Sequence, residues 1–318
     1  MPEPDDHTLA LLATSLLQSG YRFVAPTPAT YGRVNARPNN SVARDIEGVF
    51  GWSRPFKREL LAPDLFALAQ RAGALVADGS LWRSRFRFST LDGLGFLHSA
   101  YPTTEADAVF FGPDTYRFGR ALSQFLVTQP SRPVRVVDIG CGTGAAAMLA
   151  ARAWPNAEVT MLDVNLEALR LARINAEVSG LGHIRAAYCD VLNDITGAFD
   201  LIVANPPYMA DPQKRAYRDG GGSLGADLSL RIVTEAVDRL TPGGTLLLYT
   251  GAAIVDGANL FLQKAGKLLS DRGLFWHADE IDPDVFGEEL QTGPMAVADR
   301  IAALWLQATR PDPEKHHA

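Results

Sequence analysis

The feature that most constrains the fold is a β-branched run that ends in a glycine-rich loop and leads into a helix. Residues 134–139 favour a buried strand, and residues 145–153 form an alanine-rich helical pattern. Between them lie Gly140, Gly142 and Gly144. Glycines at this spacing let the backbone turn tightly and let a ligand approach it closely. We therefore expect a ligand-binding loop here rather than a tight turn alone.

Beyond residue 133 the chain alternates between strand and helix patterns. The predicted strands cover residues 134–139, 158–163, 184–189, 199–204, 245–250, 274–280 and 301–307, and the predicted helices cover 145–153, 166–178, 228–240 and 255–269. Alternation of this kind implies parallel strand pairing with helices on both faces. The predicted fold class is therefore α/β, with a doubly wound, mostly parallel, seven-stranded Rossmann-like sheet.

The first part of the chain has a different character. Helical patterns at residues 9–17 and 62–74 are followed by short strand patterns at 82–89, 96–99 and 109–111. Pro130 and Pro133 then interrupt the chain before the alternating region begins. We predict a smaller, mixed α+β substrate-recognition domain over residues 1–108, a connecting segment over 109–130 that contributes to the ligand site, and a ligand-binding domain over 131–318.

The net charge of −6 is unevenly distributed. Residues 1–130 carry 13 basic and 12 acidic residues, so the remaining 17 basic and 24 acidic residues give the rest of the chain a charge of −7. An acidic body disfavours tight non-specific binding to a phosphate backbone but leaves room for a local basic patch. The chain start lacks signal-peptide features, no apolar run is long enough to span a bilayer, and there are two cysteines. We expect a cytoplasmic protein without a membrane partner.

Acidic residues follow the next two predicted strands. Asp163 can accept hydrogen bonds from both hydroxyls of a ribose, or it can serve as a helix N-terminal aspartate. Asp190 can accept a hydrogen bond from an adenine amino group, or it can be an ordinary loop residue. Because the carboxyl ends of parallel strands share one edge of a sheet, together they predict a nucleoside pocket. The glycine loop also fits a dinucleotide pattern, with Gly142, Gly144 and Ala147 at the required spacing.

The tetrapeptide Asn205-Pro206-Pro207-Tyr208 follows the fourth predicted strand. Consecutive prolines stiffen the backbone, so the Asn205 side-chain oxygen and the Pro206 carbonyl can face one point in space. Two acceptors in that arrangement hold both hydrogens of an –NH2 group and aim its lone pair at a reactive carbon. Tyr208 can stack on a planar amide or base. A dinucleotide dehydrogenase has no use for this arrangement, and the structural alternative is an ordinary proline turn.

Four motifs together resemble those of class I methyltransferases, in the same order and spacing: VVDIGCGTG (136–144), LDVN (162–165), CDV (189–191) and NPPY (205–208). More narrowly, roughly residues 109–308 resemble the HemK-like, release-factor glutamine methyltransferase group. The segment at 112–115 is similar to that family's Pro-Glu-Thr segment, and 218–225 to its glycine-rich stretch. Two features of this chain depart from the family. The family's N-terminal domain is a helical bundle, whereas the first 108 residues here have a mixed pattern. The Glu-Pro-Arg that follows NPPY in the family is replaced here around residues 217–219.

The resemblance implies S-adenosyl-L-methionine as the cofactor and S-adenosyl-L-homocysteine as the product. It implies methyl transfer to a planar amide or amine nitrogen, in the first place a glutamine side chain of a release-factor-like protein. The alternatives are an exocyclic amine of an RNA or DNA base, a small-molecule acceptor, or cofactor chemistry without methyl transfer. The implied catalytic residues are Asn205, Pro206, Pro207 and Tyr208, and the implied cofactor-binding residues are Tyr116, Asp138, Gly140, Cys141, Gly142, Thr143, Gly144, Asp163, Val164, Asp190, Val191 and Asn205.

A metal is not expected. The only adjacent histidines are His316 and His317 at the chain end, which we interpret as a polar tail. The sequence leaves the oligomeric state open.

Alternating residues at 82–88 form a further candidate surface. On a single strand, Arg83, Arg85 and Arg87 would share one face and the aromatic residues the other. We interpret the arginine face either as a basic ridge for RNA or an acidic protein, or as a solvated face over a buried aromatic one.

Two segments are candidates for covering the site. Tyr116 and Arg117, which precede the alternating strand-helix region, are placed to close over the methionine end of the cofactor. The glycines at 220–222 are placed to form a mobile cover over the acceptor.

Overall fold

The computed structural model describes residues 5–129, 133–215 and 217–314, and its chain divides into two compact units. The N-terminal unit takes the chain up to Tyr116 together with Gly142–Ala145 and Glu167–His183, and the sheet unit takes Arg117–Cys141, Ala146–Leu166 and the chain from Ile184 onward. The three-part division predicted above, with boundaries at residues 108 and 130, stays a prediction. Pro130, His316 and His317 lie outside the described residues.

The N-terminal unit mixes short helices with two antiparallel strand pairs. Its helices are α1 (Asp6–Gln18), α2 (Pro28–Asn35), α3 (Ile46–Phe50) and α4 (Pro63–Arg71), and its strands are β1 (Leu75–Asp78), β2 (Leu81–Ser84), β3 (Phe86–Leu91) and β4 (Leu94–Ser99). β1 pairs with β2, and β3 pairs with β4. The expected mixed α+β composition is confirmed, and α1 and α4 correspond to the two helices predicted there.

Local chemistry explains where α1 forms. The Asp5 side chain accepts a hydrogen bond from Thr8 N at 3.1 Å, which caps the first turn. Leu9, Leu12 and Leu16 recur at helical spacing and are at most 1% exposed. The helix therefore forms because a capped start precedes a continuous apolar face.

The single strand predicted over residues 82–89 is wrong. The chain leaves β2 at Ser84 and enters β3 at Phe86, and the two strands pair with different partners. Arg85 between them is exposed, whereas Arg87 is 4% exposed, donates from Nε to Ser99 O at 2.7 Å and lies 4.9 Å from the Tyr31 ring centre. The three arginines therefore form neither a basic ridge nor a solvated face, because the strand break turns Arg87 into the interior.

The strand predicted over residues 109–111 is also wrong. The segment is irregular, although Ser99 N donates to Val109 O at 3.1 Å and Val109 N donates to the Ser99 hydroxyl at 2.8 Å. Because one of these bonds goes to a side chain, the segment does not continue the β3–β4 ladder.

The remaining elements supply the strands of one large sheet and further helices, of which the helix at Leu166–Val178 belongs almost entirely to the N-terminal unit. They are α5 (Pro113–Thr128), β5 (Arg135–Ile139), α6 (Ala145–Ala153), β6 (Glu158–Asp163), α7 (Leu166–Val178), β7 (Arg185–Tyr188), β8 (Phe199–Ala204), α8 (Asp227–Val237), β9 (Leu240–Val255), β10 (Ala258–Asn259), α9 (Leu260–Asp271), β11 (Phe275–Asp282) and β12 (Arg300–Thr309). The strand order is β11-β12-β9-β8-β5-β6-β7, and β10 pairs with β9. The five strands from β5 to β9 are parallel, and β12 is antiparallel to both neighbours. The predicted doubly wound, mostly parallel sheet is confirmed.

The sheet has a switch point between β5 and β8. From β5 the chain builds outward through β6 and β7, then returns to the other side of β5 with β8. In open α/β sheets, ligands bind beyond the carboxyl ends of the strands at such a point. Ile139 pairs with Ala204 in parallel register, so the glycine loop and Asn205 start at neighbouring strand ends.

Two helices of the sheet unit have bounds that differ from the prediction. Helix α8 ends at Val237, because Leu240 already pairs with Phe199 and starts β9; the register then shifts and accommodates residues 241–244 as a bulge. Helix α9 starts at Leu260 rather than at residue 255, because a tight turn folds β10 back onto β9. No helix in the described part of the chain has the length and apolarity needed to cross a membrane.

The sheet unit is held by branched side chains on the central strands. Val137, Ile202 and Leu246 are 0% exposed and lie on the three strands around the switch point. Each such side chain contributes roughly 1.5–3 kcal/mol when fully buried. This packing provides a rigid base for the loops that follow the strands.

Candidate active site

The glycine loop has the backbone conformation that its composition predicts. Gly140 has φ +63° and Gly142 has φ +53°, in the left-handed region that disfavours side chains. A Cβ atom added at either glycine would have no neighbour within 4 Å. The glycines therefore serve the backbone turn and leave open space beside the loop, as a bound ligand requires.

Asp138, the next-to-last residue of β5, is buried at 2% exposure. Its Oδ2 accepts a hydrogen bond from Ala147 N, in the first turn of α6, at 3.0 Å. Burial raises its pKa to about 7, against the effect of the Ala147 hydrogen bond and with a smaller contribution from the charge of Asp163. Asp138 thus links the end of β5, which precedes the glycine loop, to the first turn of α6, which follows it.

The end of β6 offers both polar and apolar groups. Asp163 is half-buried, and its Oδ1 accepts a hydrogen bond from Asn165 N at 2.9 Å. Nearby in sequence, Val164 is 45% and Leu166 68% exposed, and Tyr188 at the end of the neighbouring strand β7 is 58% exposed. Sequence patterns missed Leu166 and Tyr188 as site residues, because exposure of an apolar side chain is a tertiary property. An apolar strip beside a carboxylate suits a nucleoside.

Asp190 has a partner that the sequence did not indicate. Arg231 Nη1 in α8 donates to Asp190 Oδ1 at 2.9 Å, and both side chains remain substantially exposed. Val191 is 4% exposed with φ +56°, so it turns the chain rather than presenting its side chain. The assignment of Asp190 to an adenine amino group stays a prediction, now with Arg231 as the residue that orients the carboxylate.

Asn205 stands at the end of β8 with its carboxamide unengaged. It is half-buried, and none of the residues in the described ranges donates to or accepts from its side chain. Asn175, in contrast, uses both ends of its carboxamide in hydrogen bonds. Because it is only half-buried, the Asn205 carboxamide is accessible to water or to an external group, and its role in holding an acceptor stays a prediction.

The Tyr208 ring lies against protein rather than toward solvent. It is 6% exposed, with the Phe286 ring centre 5.9 Å away in an edge-to-face arrangement. A Cβ atom at Gly251 would come within 2.2 Å of the ring, so the tyrosine lies flat on that glycine of β9. The side chain therefore buttresses the NPPY turn. Its predicted stacking on an acceptor stays a prediction.

The glycine-rich segment at 218–225 packs directly on the NPPY turn. Gly220 N donates to Met209 O, and Leu228 N donates to Gly220 O, both at 2.8 Å. A Cβ atom at Gly220 would lie 2.0 Å from Gly225 O and 2.7 Å from Pro207 O. Glycine is needed at this position for close backbone contact. The segment is held against the NPPY turn, and its role as a mobile cover stays a prediction.

Tyr116 and Arg117 each have partners within their own units. Ala25 N donates to the Tyr116 hydroxyl at 3.0 Å, and burial raises the pKa of Tyr116 to about 12. Arg117 pairs with Asp282 at 2.9 Å. Their closure over the methionine end of the cofactor stays a prediction. In the described part of the chain, no group of three His, Cys, Asp or Glu side chains is arranged as metal ligands.

Residues 115–256 match the family described as "Methyltransferase small domain". This part of the chain is therefore similar to a methyltransferase domain. It carries the glycine loop, the strand-end aspartates and the NPPY turn at the switch point of its sheet.

Curated relatives also match part of the chain. A release factor glutamine methyltransferase from Deinococcus radiodurans is 39% identical over 165 residues, covering 49% of this chain and 55% of the relative. A ribosomal protein uL3 glutamine methyltransferase from Neisseria meningitidis is 34% identical over 126 residues, covering 36% of this chain and 42% of the relative. The chain thus spans about half the length of the curated relatives it matches.

Among solved structures, a ribosomal protein L11 methylase from Lactobacillus delbrueckii covers 60% of this chain and 78% of its own, at 20% identity and a TM-score of 0.41. A methyltransferase from Pyrococcus furiosus covers 64% and 89%, at 21% identity and a TM-score of 0.44.

Proposed function

We propose that the chain transfers the methyl group of S-adenosyl-L-methionine to the side-chain nitrogen of a protein glutamine. The observation that carries this proposal is the unengaged Asn205 carboxamide, at the strand end next to the one that leads into the glycine loop. The names of the relatives, glutamine methyltransferases of release factors and of ribosomal protein uL3, support the same acceptor chemistry.

The residues at the strand ends fit this cofactor. The open space beside Gly140 admits a ligand close to the backbone, and Asp163 offers a carboxylate to the ribose hydroxyls. The exposed side chains of Val164, Leu166 and Tyr188 offer an apolar surface to the adenine. When bound, S-adenosyl-L-methionine supplies an electrophilic methyl group on a sulfonium sulfur.

The acceptor side of the site works by orientation. Asn205 Oδ1 and Pro206 O accept the two hydrogens of the glutamine –NH2 group and direct its nitrogen toward the methyl carbon. Such positioning contributes up to about 7–11 kcal/mol in favourable systems. The same oxygens stabilise the positive charge that develops on nitrogen, and the proton then leaves to water.

The packing of Tyr208 favours an amide over a nucleobase. A base in the acceptor site would gain much of its binding energy by stacking on an open aromatic face. The Tyr208 ring is 6% exposed between Gly251 and Phe286, so little of it is available for stacking. A glutamine side chain needs only the two oxygen acceptors.

Mass spectrometry tests the proposal. Purified protein is incubated with S-adenosyl-L-methionine and either a mixture of release factors and ribosomal proteins or ribosomal RNA, with Asn205→Ala as the matched inactive sample. Addition of one methyl mass to a glutamine by the wild type alone supports the proposal. Methylation of a base, or cofactor turnover without a methylated product, would overturn it.

A further inference from the structure

The N-terminal unit contains a group of basic residues to which the proposed methyl transfer gives no role. We call it the basic patch, and it comprises Arg33, Arg37, Arg44, Arg54, Lys57 and Arg58. All are exposed except Arg54, which is half-buried. Residues 33–58 hold six basic and two acidic residues, a charge of +4. Since the whole chain carries −6, the remainder carries −10.

Specific hydrogen bonds bring the sequence-distant parts of the basic patch together. Arg54 Nε donates to Asn35 Oδ1 at 2.8 Å, and Asn35 Nδ2 donates to Trp52 O at 3.0 Å. Ala43 N donates to Pro55 O at 2.8 Å, which places Arg44 beside Arg54. Residues 35–44 are therefore fastened along residues 52–55, and the patch is a feature of the fold.

The charges within the basic patch act on one another. Burial lowers the pKa of Arg54, and the charges of Arg44 and Arg37 lower it further, while Asp45 opposes them. Asp45 is also engaged as the cap of α3, where its Oδ1 accepts from Gly48 N at 2.7 Å. Assembling like charges in this way costs some stability, which a bound anion would offset.

The basic patch differs from many arginines of the sheet unit in its ion pairs. Within the described ranges, none of its six side chains forms a salt bridge. Arginines of the sheet unit commonly do, in the pairs Arg117–Asp282, Arg135–Glu158, Arg215–Asp211, Arg218–Glu289, Arg231–Asp190, Arg272–Asp238 and Arg300–Glu280. The cationic side chains of the basic patch are therefore available to an anionic partner.

We propose that the basic patch binds the phosphate backbone of single-stranded RNA. Five of its six members are arginines, whose planar forks match phosphate oxygens in two-point hydrogen bonds. The Arg54 guanidinium lies 5.1 Å from the Trp52 ring centre, and an arginine plane held in this way can stack with an unpaired base. This proposal stands independently of the methyl acceptor.

RNA fits the basic patch better than an acidic protein does. An RNA strand presents one phosphate per nucleotide together with planar bases, and so complements both the charges and the Arg54–Trp52 pair. An acidic peptide complements the charges alone. The −10 remainder of the chain repels RNA elsewhere and directs it to the patch.

Fluorescence anisotropy with a labelled single-stranded RNA of mixed sequence tests the proposal, using the full chain without cofactor. We expect binding at low salt and a loss of about tenfold or more in the exposed double variant Arg37→Glu/Arg44→Glu. The milder Arg37→Gln/Arg44→Gln variant should reduce the slope of log affinity against log salt by roughly 0.7 for each lost phosphate contact. Arg120→Glu/Lys264→Glu, which makes the same charge change at exposed residues of the sheet unit, should bind like the wild type.

Three results would overturn the proposal. They are no RNA binding at low salt, equal losses in the patch and control variants, and tighter binding to polyglutamate or to anionic vesicles than to RNA. Because no methyl transfer is measured, each result is independent of the glutamine assay.

Discussion

Asn175, in the last turn of α7, hydrogen bonds both backbone groups of Leu97 in β4. Leu97 N donates to Asn175 Oδ1 at 2.8 Å, and Asn175 Nδ2 donates to Leu97 O at 3.2 Å. The same Nδ2 donates at 3.1 Å to the carbonyl of Thr143 in the glycine loop. Asn175 is fully buried. One side chain therefore satisfies both backbone groups of Leu97 in β4 and also supports the glycine loop.

Replacing Asn175 with alanine should weaken cofactor binding as well as the fold. The variant leaves Leu97 N–H, Leu97 C=O and Thr143 C=O buried without this partner, and an unsatisfied buried group costs about 1–3 kcal/mol. We expect a lower melting temperature and, at a temperature where both proteins are folded, reduced affinity for S-adenosyl-L-homocysteine by calorimetry. Asn39→Ala, at an exposed site, is the control. Undiminished affinity in folded Asn175→Ala would show that the loop does not depend on this contact.

Replacing Asn205 with alanine should separate chemistry from cofactor binding. Its carboxamide has no protein partner in the described ranges, so its removal should cost little stability. Methyl transfer should fall by about tenfold or more, because one of the two acceptors for the –NH2 group is lost. Calorimetry should show nearly unchanged cofactor affinity, and exposed Asn193→Ala should behave as the wild type. Unchanged turnover would remove the assigned role.

Replacing Asp163 should lower the affinity for the cofactor rather than disturb the acceptor. Asp163→Asn keeps an oxygen for the Asn165 N hydrogen bond but loses the charge that strengthens hydrogen bonds to ribose hydroxyls, and Asp163→Ala loses both. Cofactor affinity should therefore decrease from wild type to asparagine to alanine. Exposed Asp194→Asn serves as the control for the change in charge. Equal affinities across the series would mean that Asp163 does not bind the ribose and only shapes the turn before α7.

Gly220 should tolerate no side chain, although its φ is not in the left-handed region. A Cβ atom there meets backbone at 2.0 Å and 2.7 Å, which cannot give way as a flexible side chain would. Gly220→Ala should displace the NPPY turn, lower the methyl-transfer rate and reduce the melting temperature. Gly182→Ala, whose nearest contact would be 3.9 Å away, is the matched control. Equal behaviour of the two variants would show that close backbone contact at Gly220 is not required.

The central part of the sheet could be predicted from sequence almost to the residue. Strands β6 and β8 and helices α6 and α7 have the predicted bounds. These elements lie where apolar runs bounded by glycines or prolines make the pattern unambiguous. The motif residues also fall at strand ends as predicted, because parallel pairing brings those ends to one edge.

The remainder depends on contacts between distant residues. Arg87 looks like a surface residue in an alternating run, yet its partners Ser99 and Tyr31 draw it inside. Asn175 occupies the apolar face of α7, at helical spacing from Leu171 and Ala168, which is the one available sign of a buried polar role. Its bond to Leu97 spans 78 residues. No local pattern contains the identity of such a partner.

The ionisation of Asp138 should make stability depend on pH. Burial raises its pKa from 3.8 in the unfolded chain to about 7 in the folded one, so the folded state binds the additional proton between these values. The free energy of unfolding should therefore receive a contribution that is complete below pH 3.8 and lost as the pH rises through about 7. In Asp138→Asn, which still offers an oxygen to Ala147 N, that contribution should be independent of pH. Urea unfolding of both proteins between about pH 5 and about pH 8 measures the difference, so that titration of other groups cancels. A stability difference between the two proteins that stays constant over this range would mean that Asp138 is already charged in the folded state at about pH 5.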